Sequence, residues 1–155
     1  IAIGWLAVDG PQQLLAGDIA ASLAVAALGT VLYLWQFPHF MAIAWLYRKQ
    51  YGLANLKMLT VTDPSGLRAA GQSLAAALAM IPVSLAMAIP SGSIRMFLTA
   101  ALASTVYVLV SVNFAFRRDD RSARILLFTS LGVLLILMTS AVAFSAPKIL
   151  TGSYL

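Results

Sequence analysis

The 155-residue chain is 61% hydrophobic and only 10% charged, against about 25% charged in an ordinary soluble domain, so a soluble globular fold is excluded and helices in a bilayer are expected. Ten lysines and arginines over five aspartates give a net charge of +5. The cations gather at the ends of apolar runs, where the Lys/Arg bias of cytoplasmic loops accounts for them without a nucleic-acid partner, and the lack of cysteine excludes disulfides and thiolate metal sites.

The chain begins at Ile1, and residues 1–8 are apolar without the basic start of a signal peptide. This reads as a piece of a longer protein. Residues 1–16 are expected to be the end of a preceding span, turning at Gly10-Pro11. Asp18 then caps the first full span, about 18–47. That run is longer than the ~20 residues a bilayer needs. Pro38 lies within it, removes one backbone hydrogen bond and is expected to kink it. A polar loop follows, from Arg48 to about Asp63.

Asp63-Pro64 looks like an N-cap followed by proline at the first helical position. It opens a second span, about 64–89, dense in alanine and bent at Pro82. Pro90-Ser91-Gly92 is a turn. A third span runs about 93–116 and ends in Arg117 and Arg118, favourably for the helix dipole. Asp119 and Asp120 precede a fourth, about 122–146, stopped by Pro147. The segment 48–68 carries Arg48, Lys49, Lys57 and Arg68, and 117–124 carries Arg117, Arg118, Arg121 and Arg124. Four alternating spans put both on one face, expected to be cytoplasmic. There is no internal repeat in the range of about 20–50 residues.

The stretch that calls for a reason is Trp35-Gln36-Phe37-Pro38-His39-Phe40. It holds the only histidine of the chain, inside an apolar span, where ionisable groups are costly and usually functional. A histidine that merely ties helices together is the plain alternative. Gln36, His39, Ile43, Tyr47 and Gln50 recur at helical spacing, which lines polar groups along one face towards the cationic end. Arg48, Lys49 and Lys57 are either membrane anchors or a site for phosphate or carboxylate groups, with Tyr51 beside them as a donor. Trp35, Phe37, Phe40 and Trp45 are either core and belt residues or the faces that stabilise a cationic or flat aromatic species. Asp63 and Asp120 are weak candidates for a hard cation, because they stand in different loops.

Residues 35–40 resemble the Trp-Gln-x-Pro-His-Phe motif of the protoheme IX farnesyltransferases, or heme O synthases, a branch of the intramembrane prenyltransferases. The likeness continues through Tyr47-Arg48, Tyr51, Met58-Leu59, Val61-Thr62-x-Pro64, Asp120, Ala123-Arg124 and Leu127-Phe128-x-x-Ser130, with Gly4-Trp5 upstream. It covers nearly all of this chain and the carboxy-terminal half of the family. It implies an all-α, polytopic transmembrane bundle, of which residues 1–155 form one half-domain. It implies transfer of a farnesyl group from farnesyl diphosphate to a vinyl group of heme B, giving heme O for terminal oxidases. It implies Mg2+, held by acidic motifs of which the first lies in the upstream half of the protein. The setting is a bacterial inner membrane, or the mitochondrial one in a eukaryote.

On this resemblance His39, Gln36 and Tyr51 are the catalytic candidates, and Trp35, Phe40, Tyr47, Arg48, Lys49, Gln50, Lys57 and Arg124 the substrate-binding ones. The family usually has Asp where Gln50 stands, Gly where Asn55 stands and Pro where Lys57 stands. Other readings are a prenyltransferase with a quinone or chlorophyll-type acceptor, a transporter fragment with a kinked helix, and a structural membrane subunit.

Overall fold

The computed structural model describes residues 19–144, with Gln12 ahead of them. The expected preceding span, the Gly10-Pro11 turn, the Asp18 cap and the Pro147 stop lie outside the described residues. Six helices follow one another and no strand occurs among the described residues. They are α1 (Ile19–Leu46), α2 (Arg48–Leu53), α3 (Leu59–Thr62), α4 (Leu67–Ala86), α5 (Ile94–Arg117) and α6 (Asp120–Phe144). Four of them, α1, α4, α5 and α6, are long and apolar enough to cross a membrane, and the protein is an integral membrane protein of the helical-bundle class.

Helix α1 packs on α4 and α6, α4 on α5, and α5 on α6. The four spans therefore close into a ring in chain order. Without a hydrophobic drive between helices in lipid, such a ring is held by close approach of small residues. The inward face of α4 shows this: Ala69, Ala70, Ser73, Ala76, Ala77, Met80 and Ser84 are its buried positions. The outer faces stay apolar, with Leu98, Leu102, Leu109, Leu135 and Val142 exposed. Tyr107, fully buried on α5, crosses the ring interior and donates from its hydroxyl to the carbonyl of Trp35 on α1 (2.8 Å).

Pro38 stands inside α1, and the helix is continuous from Ile19 to Leu46. Its ring is fully buried. Proline leaves the carbonyl four residues back, that of Leu34, without its helical donor. The hydroxyl of Tyr107 supports the ladder at the next carbonyl along.

Two expectations are corrected. The segment 48–63 is not an irregular loop, because it holds α2 and α3, and α3 is tied back by Thr60 Oγ1 donating to Ala44 O (2.8 Å). Between them Asn55 takes a left-handed φ of 54°, a conformation open mainly to Gly and Asn. The second span starts at Leu67 rather than at Pro64. Residues 63–66 form a turn first, closed by Gly66 N–H to Asp63 O (3.1 Å), with Gly66 at φ 72°.

Arg48 and Asp120 form an ion pair at 2.7 Å. This places the 47–66 segment and the α5–α6 turn at the same end of the bundle, as their shared positive charge requires. At the other end a small cavity of about 110 Å³ lies among Ala24, Val25, Leu28, Met87, Met96 and Ala141.

At the charged end two aspartates cap helices. Ser122 N–H donates to Asp119 Oδ1 (2.7 Å) at the start of α6. Asp63 accepts from the Ser65 hydroxyl and backbone and from Arg68 N–H (2.9 Å) at the start of α4. Both carboxyls are held below the ordinary aspartate range. The cause at Asp63 is first the Ser65 hydroxyl and then the Arg68 amide; at Asp119 it is the Ser122 amide and then its hydroxyl. A depressed folded-state pKa means stabilisation that is complete at neutral pH and lost as pH falls through the folded value. Thermal unfolding in detergent should therefore show stability falling below the usual carboxylate range. The double variant Asp63→Asn, Asp119→Asn keeps capping side chains that do not titrate, and its acid limb should be flatter.

Candidate functional site

The chemistry-bearing residues of α1 meet α6 inside the span. Trp35 Nε1 donates to the backbone oxygen of Ser130 (2.7 Å). One turn on, His39 Nδ1 lies 2.8 Å from Ser130 Oγ, and that hydroxyl donates to Leu127 O (2.6 Å). The Trp35 and His39 rings are stacked, with centroids 4.7 Å apart and planes at 25°. Phe40 meets the imidazole edge-on at 5.6 Å and is itself 53% exposed. The imidazole is half-buried, and Ser130 is fully buried.

Nine residues on from His39, and ten residues back from Ser130, Arg48 and Asp120 meet. From the imidazole, α1 runs on antiparallel to α6 as far as Leu46, about 10 Å along the axis at 1.5 Å per residue, just before the charged end. Arg48 Nη1 donates to Asp120 Oδ1 (2.7 Å) and to Trp45 O (2.6 Å), and its guanidinium lies 4.4 Å from the centre of the Trp45 ring. Arg48 is therefore engaged within the chain, although its side chain keeps 28% exposure. Asp120 continues into a groove of about 490 Å³ on α6, lined by Asp120, Arg121, Arg124, Ile125, Phe128 and Thr129. The groove offers two guanidiniums at its charged end and exposed Phe128 further in. Its rim residue Thr129 is the sequence neighbour of the serine that meets His39.

Of the residues singled out in the sequence, Trp35, His39 and Phe40 come together, and Arg48, Asp120 and Arg124 form a second group at the membrane end. Gln36 is half-buried, and its amide bonds to none of the described residues. Tyr47 is 51% exposed at the break between α1 and α2. Lys49, Gln50 and Lys57 are exposed on the 48–63 segment and Tyr51 is half-buried there. Asp63 lies apart from Asp120, at the start of α4, with its carboxylate engaged in capping. Among the described residues no three His or Asp side chains gather into a metal-binding group. Each aspartate considered for Mg2+ already has partners within the chain, so the described residues by themselves do not complete a magnesium site.

Sequence reasoning missed two residues that build the site. Tyr107 was one of many apolar-run aromatics. Ser130 entered only as a matching position. Its one legible signal is a place on the buried face of α6, with Ser122, Ala123, Leu126, Val133, Leu137 and Ser140.

The chain is 42% identical over 104 residues to the protoheme IX farnesyltransferase of Solibacter usitatus, which covers 66% of this chain and 36% of that protein. It is 39% identical over 135 residues to the one of Opitutus terrae, covering 83% of this chain and 45% of the relative. It is 32% identical over 147 residues to the mitochondrial protoheme IX farnesyltransferase of Homo sapiens, covering 94% of this chain and 31% of the relative. The chain thus spans less than half the length of these relatives. No family model and no solved structure matches it.

Proposed function

Because the chain belongs to the protoheme IX farnesyltransferase family, we propose that it supplies the carboxy-terminal half of a heme O synthase and that the α1–α6 seam forms part of its substrate site. The observation that carries the reading is an imidazole inside a membrane span, stacked on Trp35 and in hydrogen-bond reach of Ser130, on a helix that leads to a cationic, aromatic end.

The reaction asks for these two ends. The bond between the farnesyl C1 and the diphosphate oxygen breaks, and diphosphate leaves with the electron pair. The terminal vinyl carbon of heme B bonds to C1. The carbocation left beside the porphyrin ring takes up the oxygen of one water, and a proton leaves. Leaving-group departure wants fixed positive charge, in general the largest catalytic contribution. Lys49, Lys57 and Arg124, all exposed at the charged end, are the groups for diphosphate or heme propionates, and Tyr51 and Gln50 lie among them. Arg48 positions this end through Asp120 and Trp45. The aromatic faces of Trp35, Phe40 and Tyr47 suit a flat ring and an allylic cation. His39 serves the heme side, on iron or on the proton lost from water, with Gln36 one turn back. These residues route no step through Mg2+.

In the same reading the 48–63 and 117–124 segments face the cytoplasm, or the matrix in a mitochondrion, and the product serves a terminal oxidase. The direct test is the full-length protein, reconstituted with heme B and farnesyl diphosphate and analysed for heme O by mass. A heme left unmodified under turnover conditions, with both substrates bound, would count against the reading. Within it, Lys57→Ala removes an exposed charge-assisted donor and should raise the KM for farnesyl diphosphate by about tenfold. A KM within twofold of wild type would take Lys57 out of the site.

A further inference from the structure

We infer that Ser130 is a positioning residue that keeps the proton of His39 on Nδ1 and so leaves the lone pair of Nε2 as the working end of the imidazole. This rests on the placement of His39 in the site proposed above. Ser130 Oγ lies 2.6 Å from Leu127 O and 2.8 Å from His39 Nδ1. Two oxygens at 2.6 Å repel unless a proton lies between them, and a carbonyl has none to give. The single hydroxyl proton of Ser130 is therefore directed to Leu127 O. The contact with His39 then needs its proton from Nδ1, and a neutral ring protonated there carries its lone pair on Nε2.

Other buried serines do not do this. Ser73, Ser104 and Ser111 donate to the carbonyl four residues back in their own helices (2.8, 2.7 and 2.8 Å) and hydrogen-bond to no side chain among the described residues. That is the ordinary way for a serine inside an apolar helix. Ser130 donates in a similar way to Leu127 O, three residues back, and is also placed against the imidazole. Its backbone oxygen holds Trp35 Nε1, and Trp35 stacks on the same imidazole. One residue of α6 thus sets both the plane of the ring and its tautomer. A proton on Nδ1 makes Nε2 the nitrogen that can meet heme iron or take the proton from water. It cannot donate from that position in the neutral state.

The test is nitrogen NMR on the full chain, 15N-labelled at histidine, with the His39 signals assigned by their loss in His39→Gln. The wild type should show Nδ1 protonated and Nε2 bare. Ser130→Ala removes the acceptor and should move the ratio of Nδ1–H to Nε2–H by about fivefold towards Nε2–H, the worth of one ordinary hydrogen bond. Ser130→Thr keeps the hydroxyl and should restore the wild-type ratio. A wild type protonated mainly on Nε2, or a ratio unmoved in Ser130→Ala, would overturn the proposal. In turnover, Ser130→Ala should lower kcat about 10–100-fold, as loss of a partner behind a working histidine does, with the KM for farnesyl diphosphate unchanged. An unchanged kcat would overturn the positioning role. A wild-type protein that makes no farnesylated heme would refute the proposed reaction, and the nitrogen measurement would still decide the tautomer.

Discussion

On the proposed function, replacing His39 by alanine in the full-length protein is expected to lower heme O formation by at least about a hundredfold, the scale of one lost acid–base or ligating group, while the protein still inserts and folds. The two effects separate because the imidazole contributes little to the fold. Among the described residues it makes one hydrogen bond, to a serine that stays satisfied through Leu127 O when the ring is gone. That loss is about 1 kcal/mol, and the stack on Trp35 adds about 0.5–1.5 kcal/mol. Neither sum approaches the stability of a bundle closed by four helix–helix seams. Initial rates at saturating heme and farnesyl diphosphate give kcat, and helix content in detergent gives the folded fraction. His39→Asn supplies a control that keeps a polar side chain in the stack without an imidazole. It should be as inactive as the alanine variant if the lone pair matters, and near wild type if only packing does. Full turnover in either variant would remove His39 from the chemistry.

The spans were legible because a bilayer sets a length, and four apolar runs met it. The cost of His39 was legible too, since an imidazole in a span needs no partner to be conspicuous. The partners themselves were not. Ser130 and Tyr107 reach α1 only through the register of α6 and α5 against it. A serine on a buried helix face reads the same whether it bonds to its own helix, as Ser73 does, or to a neighbour. Charge was readable as a sum and unreadable as pairs. Eight cations in two segments predicted a common face, but not that Arg48 would be occupied by Asp120 and the Trp45 ring. The start of α4 failed for a similar reason. Asp63-Pro64 has the local chemistry of a helix start. What delays the helix to Leu67 is a left-handed Gly66 lying against a tryptophan from another helix, and that is a tertiary fact.

That glycine carries the largest expected effect on stability. Gly66→Ala should destabilise the protein by about 2–5 kcal/mol, from two sources that can be separated. Gly66 has φ 72°, and an L-residue held in that region costs about 1–2 kcal/mol. A Cβ there would also overlap Cζ3 of Trp45 and stand 3.0 and 3.1 Å from Cη2 and Cε3 of the same ring. Overpacking of this kind costs about 1–3 kcal/mol. The indole cannot swing aside. It is 5% exposed, Phe114 meets it edge-on at 6.0 Å, and the Arg48 guanidinium covers it at 4.4 Å. Its Nε1 finds no acceptor among the described residues, so packing and the Arg48 cation place the ring rather than a hydrogen bond from the indole, and a Cβ at residue 66 disturbs that packing. Trp45→Phe withdraws the overlapping atoms. In that background Gly66→Ala should cost only the backbone share, about 1–2 kcal/mol, and the difference between the two backgrounds is the clash. Equal costs in both would mean that the ring is not what requires glycine. The same contact fixes the 47–66 segment to the bundle beside Arg48, so on the proposed function Gly66→Ala in the full-length protein should also raise the KM for farnesyl diphosphate under conditions where the protein remains folded, with Trp45→Phe lessening both defects together.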